Sequence, residues 1–178
     1  MISGPDGNDF QVPPAPWRAL PACAIHDLRV AWVPSFGAPI AADIAVAIEG
    51  LARELAALGA RVEQRAPEVD LIEQVRLSND LFSMLVGAAH ASEDDPAAPK
   101  LSRSLRALDR RDRFAAIWER FFADWDVFGC PLDPITAPRH DEEGAPLLVD
   151  GTPVSSDQRN VPFAIAPITG GPAITIPP

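Results

Sequence analysis

The most constraining feature of this sequence is the stretch from Leu28 to Arg65. Leu28–Val33 (L-R-V-A-W-V) is a short apolar run with β-branched residues, stopped by Pro34, and reads as a buried strand. Gly37 and Pro39 make the way out of it. Across Asp43–Leu58, the residues Ile44, Ile48, Leu51, Leu55 and Leu58 fall at i, i+4, i+7, i+11 and i+14, the single apolar stripe of an amphipathic helix. Gly59 follows as a stop, because glycine tolerates the left-handed cap position. Arg61–Arg65 is a polar strand carrying only Val62, which suits a sheet edge. Strand, helix and strand joined by such short connections imply a right-handed parallel crossover, and hence an α/β chain.

The remaining pattern extends this unit. Asp70, with Glu73 three residues later, opens a second helix in a capping-box arrangement. Leu71, Val75, Phe82 and Leu85 carry that helix to about His90. Ser92–Lys100 is a polar loop. Leu101–Trp125 reads as a long helix whose expected buried row is Leu105, Leu108, Ala115, Trp118, Phe122 and Trp125. Its other face holds Arg103, Arg106, Arg110, Arg111 and Arg113, expected to pair with Asp109, Asp112 and Glu119 at helical spacings. Anion binding by these arginines is a second reading. Asp126–Pro131 is a short strand. Leu132–Val161 shows no periodicity, and a segment of that kind inside a compact domain is usually functional or disordered. Thr169–Ile176 reads as a glycine turn leading into a β-branched strand. Residues 1–27 form an expected irregular arm, because Pro13, Pro14, Pro16 and Pro21 forbid regular helix. The organisation is therefore one partial domain: an arm over 1–27, strand–helix–strand over 28–66, helices over 70–125, and strands with a long loop over 126–178.

Composition narrows the function classes. The chain has 178 residues, room for one domain, and 15 basic against 25 acidic residues, a net charge of −10. Phosphate contacts need a clustered basic surface, so no nucleic-acid partner is expected, nor an anionic membrane surface. No apolar run is long enough to span a bilayer, and Met1–Phe10 lacks the basic and apolar regions of a secretory signal. Cys23 and Cys130 are far apart and suit reduced thiols rather than a disulfide framework. A cytoplasmic location follows as an expectation.

Chemical constellations are sparse. His26, His90 and His140 are isolated, and there is no HExxH or CxxC. His140-Asp141-Glu142-Glu143 reads as a solvated acidic loop. Gly170-Gly171 precedes a strand and so cannot present a helix N-terminus to phosphate. No cofactor is expected and no metal site. Ser155-Ser156 lies in a loop with no His or Lys beside it to activate a hydroxyl. Lys100, the single lysine, stands among prolines and acids as a solvated charge. Cys130 at a strand end reads as a structural thiol, and a cysteine enzyme would need a depressed thiol pKa that nothing nearby supplies.

Three segments carry a family resemblance. Ser3-Gly4-Pro5-Asp6-Gly7-Asn8-Asp9 looks like a "GPD…D" turn, Trp125–Pro134 (W-D-V-F-G-C-P-L-D-P) with Ala137-Pro138 like "YDVLLTPT-P", and Thr169–Pro177 (T-G-G-P-A-I-T-I-P) like "TG-PAISVP". In that order, with the strand–helix–strand unit between the first two, the chain resembles the later part of the amidase signature family, which hydrolyses carboxamide C–N bonds. The resemblance implies a three-layer α/β/α fold on a mixed sheet. It implies a lysine that deprotonates a bridging serine, which in turn activates a nucleophilic serine. No Gly-Ser-Ser-Gly-Gly-like run is present and Lys100 falls in the wrong place, so no catalytic residue is carried over and the chain is expected to be inactive alone. What is carried over is the pocket wall: Cys130, Pro131, Leu132, Phe163, Pro167, Thr169 and Gly170 as substrate-binding residues for a small-molecule amide. Pro167 stands where the family often has asparagine, and Cys130–Pro134 lacks the threonines of "TPT-P". The chain is expected to be a bacterial fragment cut at both ends, with a homo-oligomer through an exposed sheet edge. The other reading is a non-catalytic binding or assembly module that keeps this fold.

Overall fold

The computed structural model describes residues 22–92, 98–136 and 147–176. The Ser3–Asp9 turn, most of the expected arm, Ala137-Pro138 and the His140–Glu143 cluster lie outside the described residues.

Strand β1 (Arg29–Trp32) is buried at Val30 and Ala31, as its apolar run requires. Helix α1 (Ala42–Ala57) follows, and Gly59 with φ +97° turns the chain into β2 (Arg61–Gln64). β1 and β2 pair in parallel, Val30 opposite Val62. After the long helices α2 (Leu71–His90) and α3 (Leu101–Asp124), strand β3 (Val127–Gly129) returns to the other side of β1, again parallel, with Val30 opposite Val127. The sheet order is β2–β1–β3, so β2 is the edge strand its polar sequence suggested. All three strands run the same way. The antiparallel pairing of an expected mixed sheet is found instead in a separate hairpin, β4 (Leu147–Val149) with β5 (Thr152–Val154).

Arg29 and Asp126 tie the start of the sheet together. The Arg29 guanidinium donates from Nε and Nη2 to the two Asp126 carboxylate oxygens at 3.0 and 2.8 Å, and from Nη1 to the Ala123 carbonyl at 3.1 Å. The end of α3 is thereby fixed against the beginnings of β1 and β3.

The expected featureless stretch 132–161 contains ordered structure. Asp150-Gly151 links β4 to β5 with both residues at positive φ (47° and 82°), the conformation of a two-residue type I′ hairpin. Helix α4 (Ser156–Arg159) begins with a reciprocal capping box between Ser155 and Gln158. Helix α5 (Val161–Thr169) follows, with Pro162 in its first turn and Gly170 at φ +70° as its left-handed cap. Beyond it, Gly171–Ile176 is extended, exposed and unpaired, so the strand expected over Thr169–Ile176 does not form. Thr169 instead closes α5, its hydroxyl donating to the Ile165 carbonyl at 2.9 Å.

The core sits among α2, α3 and α5. Leu77 and Met84 of α2 pack with Ala107 and Phe114 of α3 and Ile168 of α5, and Val75 packs with Val161 and Ala164. This rotates α3 relative to the expected face. Of the expected row, Trp118 and Trp125 are buried, whereas Leu105, Leu108 and Phe122 are exposed and Ala107 and Phe114 enter the core in their place. Two exposed polar pairs with α2 accompany the rotation. Arg110 donates to Glu73 at 2.8 Å and Arg103 to Asp80 at 3.5 Å, so these arginines turn toward α2 rather than pairing along their own helix. Arg113–Asp109 is the i,i+4 pair that spacing suggested, and Arg111 pairs with Asp112 next to it. On α1, Leu51 and Leu58 likewise emerge exposed from the expected stripe.

Trp118 joins core and sheet. Its ring lies 5.2 Å edge-on from Phe128 of β3 and 5.9 Å from Phe121 and Phe122, and Phe128 in turn meets Phe36 in the loop after β1. Aromatic contacts of this geometry add about 0.5–1.5 kcal/mol each beyond the area they bury.

Candidate functional site

In an open parallel sheet, ligands bind beyond the carboxyl ends of the strands, where the strand order reverses. Here the chain leaves β1 to one side for β2 and returns to its other side for β3. The crevice between the loops that follow β1 and β3 is therefore the place topology singles out.

Those loops meet there. Residues of the loop after β1 (Ser35 to Ile40) and Pro131, Asp133 and Pro134 after β3 line a small cavity of about 20 Å³, closed by Gln158 of α4 and Pro162 at the start of α5. That volume holds a single water. Next to it, the following residues of the same loops, Ala41–Asp43 and Ile135–Thr136, form with Leu148 and Asp150 an open cleft of about 500 Å³. Small-molecule sites span roughly 300–1,000 Å³, so only the larger cleft has the size for a ligand.

Each wall is anchored by a polar contact. Arg159 donates from Nε and Nη2 to Asp133 Oδ2 at 3.1 and 2.9 Å, fixing the β3 loop to the end of α4. The Pro134 carbonyl accepts from the Ala41 N–H at 2.8 Å, which joins the β3 loop to the start of α1. Asp150, at the hairpin turn, accepts from the Ala42 N–H at 3.3 Å. Its carboxylate thus faces the first turn of α1, where the helix dipole favours negative charge.

The seven residues expected to bind substrate divide between this site and elsewhere. Pro131 is buried and lines the small cavity. Cys130 precedes it, and burial pushes its thiol up to about 11, which makes it a protonated, structural group at neutral pH. Leu132 points outward at 48 % exposure, as does Phe163, the neighbour of Pro162. Pro167, Thr169 and Gly170 lie at the opposite end of α5, about 10 Å from Pro162 at 1.5 Å of rise per residue. Sequence reasoning missed Asp133, Arg159, Gln158, Pro162 and Asp150. Signals existed for two parts of this set: Asp150-Gly151 between apolar residues is a hairpin signature, and Ser155…Gln158 is a capping box.

The site has no nucleophile–base pair among the described residues. Ser155 is occupied as a helix cap, accepting from the Gln158 N–H at 3.2 Å with its hydroxyl 3.1 Å from the Gln158 side-chain oxygen. Among the described residues, no group of three or more His, Cys, Asp or Glu side chains is placed to hold a metal ion, and no helix is long and apolar enough to cross a membrane. The cleft can hold a small polar molecule among mixed polar and apolar groups, with the Asp43 and Asp150 carboxylates at its mouth; the Ala41 and Ala42 N–H groups there are already bonded to Pro134 and Asp150. No protein-family model matches the sequence, and no curated protein matches it either.

Proposed function

We propose that this chain forms a substrate-holding wall of an amidase-type hydrolase of carboxamide C–N bonds, built on a three-layer α/β/α fold of that family. The observation that supports the reading is the convergence of the β1 and β3 loops on the start of α5 at the switch point of the sheet, with a ligand-sized cleft beside it. The segment carrying the strongest family-like motif, Trp125–Pro134, supplies one side of that crevice. A carboxamide offers an N–H₂ donor, which suits the Asp43 and Asp150 carboxylates at the cleft mouth. The relay such enzymes use, a lysine acting through two serines, has no counterpart in these 178 residues. The proposed role is therefore to hold the amide, without turnover by this chain alone. An ammonia-release assay over aliphatic and aromatic carboxamides tests this. No release above buffer is expected. Release that persists in Ser155→Ala/Ser156→Ala would reveal a nucleophile elsewhere in the chain, and release abolished by that change would assign catalysis to those serines.

A second reading, a non-catalytic assembly module, is favoured by one observation: a broad apolar face on α2 and α3 that nothing among the described residues covers.

A further inference from the structure

Helix α5 lies across α2 and α3, with Val161 and Ala164 against Val75 and Ile168 against Leu77, Met84, Ala107 and Phe114. Gly170 then ends it in a left-handed cap. The face that α5 covers continues past this stop, toward the end of α2 and the start of α3. The two helices remain side by side there: the Ser104 hydroxyl is 3.7 Å from the Met84 sulfur, and Gly87 abuts Pro99. By helical spacing, Phe82, Leu85 and Val86 share one side of α2, and Leu101, Leu105 and Leu108 share one side of α3. For this antiparallel pair both sides turn toward the flank on which α5 lies, opposite the flank of the Arg103–Asp80 and Arg110–Glu73 pairs.

Among the described residues, nothing covers this surface. Phe82 is 67 % exposed, Leu85 68 %, Leu101 73 % and Leu105 57 %. With Val86 and Leu108, the six side chains present on the order of 700 Å² of apolar surface, more than the ~300–600 Å² of the largest patch on a typical monomer. A standard interface takes about 800 Å² from each partner, so two such faces placed together supply nearly a whole interface.

We infer that this face binds a second copy of the same chain. The α2–α3 pair of one protomer packs on the α2–α3 pair of its partner, as an isologous four-helix bundle. A two-fold contact uses one patch twice, and this patch has the apolar content, the area and the paired-helix shape for it. The inference deepens the assembly-module reading and does not rest on the hydrolase reading.

The test is sedimentation equilibrium of the full chain across micromolar concentrations, with Leu85→Glu and Leu105→Glu made separately and Leu58→Glu as a control on α1. The wild type is expected to be a discrete dimer. Each of the first two substitutions should weaken dimerisation by roughly 30-fold or more, as a buried leucine is lost and a charge is introduced. Both sites are exposed, so circular dichroism should remain that of the wild type. Leu58→Glu should leave the dimer intact. A monomeric wild type, open-ended aggregation, a dimer insensitive to the two α2–α3 substitutions, or equal loss with Leu58→Glu would each overturn the inference. Amide hydrolysis is not read in this experiment, so its outcome is separate from that of the hydrolase proposal.

Discussion

The Gln74 side-chain oxygen accepts a hydrogen bond from the Trp118 indole N–H at 2.9 Å, and both residues are essentially inaccessible to solvent. The Gln74 amide nitrogen donates in turn to the Ala164 carbonyl at 3.3 Å. One buried amide thus joins α2, α3 and α5, and Trp118 passes the connection on to Phe128 in the sheet.

Replacing that amide with an isosteric hydrocarbon is therefore costly. Gln74→Leu leaves the indole N–H unsatisfied inside the core, and an unsatisfied buried donor costs about 1–3 kcal/mol. Gln74→Ala adds a cavity and should lose about 2–5 kcal/mol. Urea unfolding followed by tryptophan fluorescence measures both; a loss below about 0.5 kcal/mol for each would show that the network contributes little.

Acid should release the Arg29–Asp126 clasp. The Arg29 guanidinium and backbone N–H hold the Asp126 carboxyl down at about 2. A group depressed in the folded state stabilises above its unfolded pKa, near 3.9, and loses that contribution as pH falls through the folded value. Stability should thus decline between about pH 4 and pH 2, and Asp126→Asn should flatten that part of the profile. Thermal melts across this range check it.

Cys130 should be the slow thiol. Burial raises its pKa to about 11, whereas Cys23 is exposed. Iodoacetamide at neutral pH should modify Cys23 first and reach Cys130 only after unfolding, as peptide mapping would show. The raised value also makes the folded state hold its proton more tightly. Its stabilising contribution is present below the unfolded thiol pKa and is lost as pH rises through about 11.

Arg159→Ala should act locally. The Arg159–Asp133 pair is partly exposed, so its removal should cost less than about 1 kcal/mol of global stability. The β3 loop it anchors should loosen nonetheless, and the Ala41 amide, bonded to the Pro134 carbonyl at 2.8 Å, should exchange faster with deuterium. Unchanged protection at Ala41 would mean that the loop is held by packing alone.

Much of this fold was legible in the sequence because its signals are local. The apolar run of β1, the span and Gly59 stop of α1, and the Asp70 cap of α2, which accepts from the Glu73 N–H at 2.9 Å, all appear where the pattern put them. Part of the α3 face was misassigned because helical periodicity allows neighbouring stripes, and the choice between them depends on packing against α2 and α5. Prolines at 153, 162 and 167 disguised the region from β5 to α5, although Asp150-Gly151 and Ser155…Gln158 marked turn and cap. Thr169–Ile176 has the β-branched composition of a strand, but composition does not place it beside a sheet edge, and it pairs with neither β2 nor β3. None of the cleft's lining was foreseen, and only Pro131 of the small cavity beside it, since pairing Asp133 with Arg159 or setting Asp150 against Ala42 depends on contacts remote in sequence.

The most direct test of the central claim is an NMR titration of the ¹⁵N-labelled chain with benzamide and propionamide, using the matching carboxylates as controls. The account predicts amide-specific shifts confined to Ala41–Asp43, Ile135, Thr136, Leu148 and Asp150, with no ammonia released. Shifts centred elsewhere, or equal responses to amide and carboxylate, would contradict the assignment of this cleft to a carboxamide.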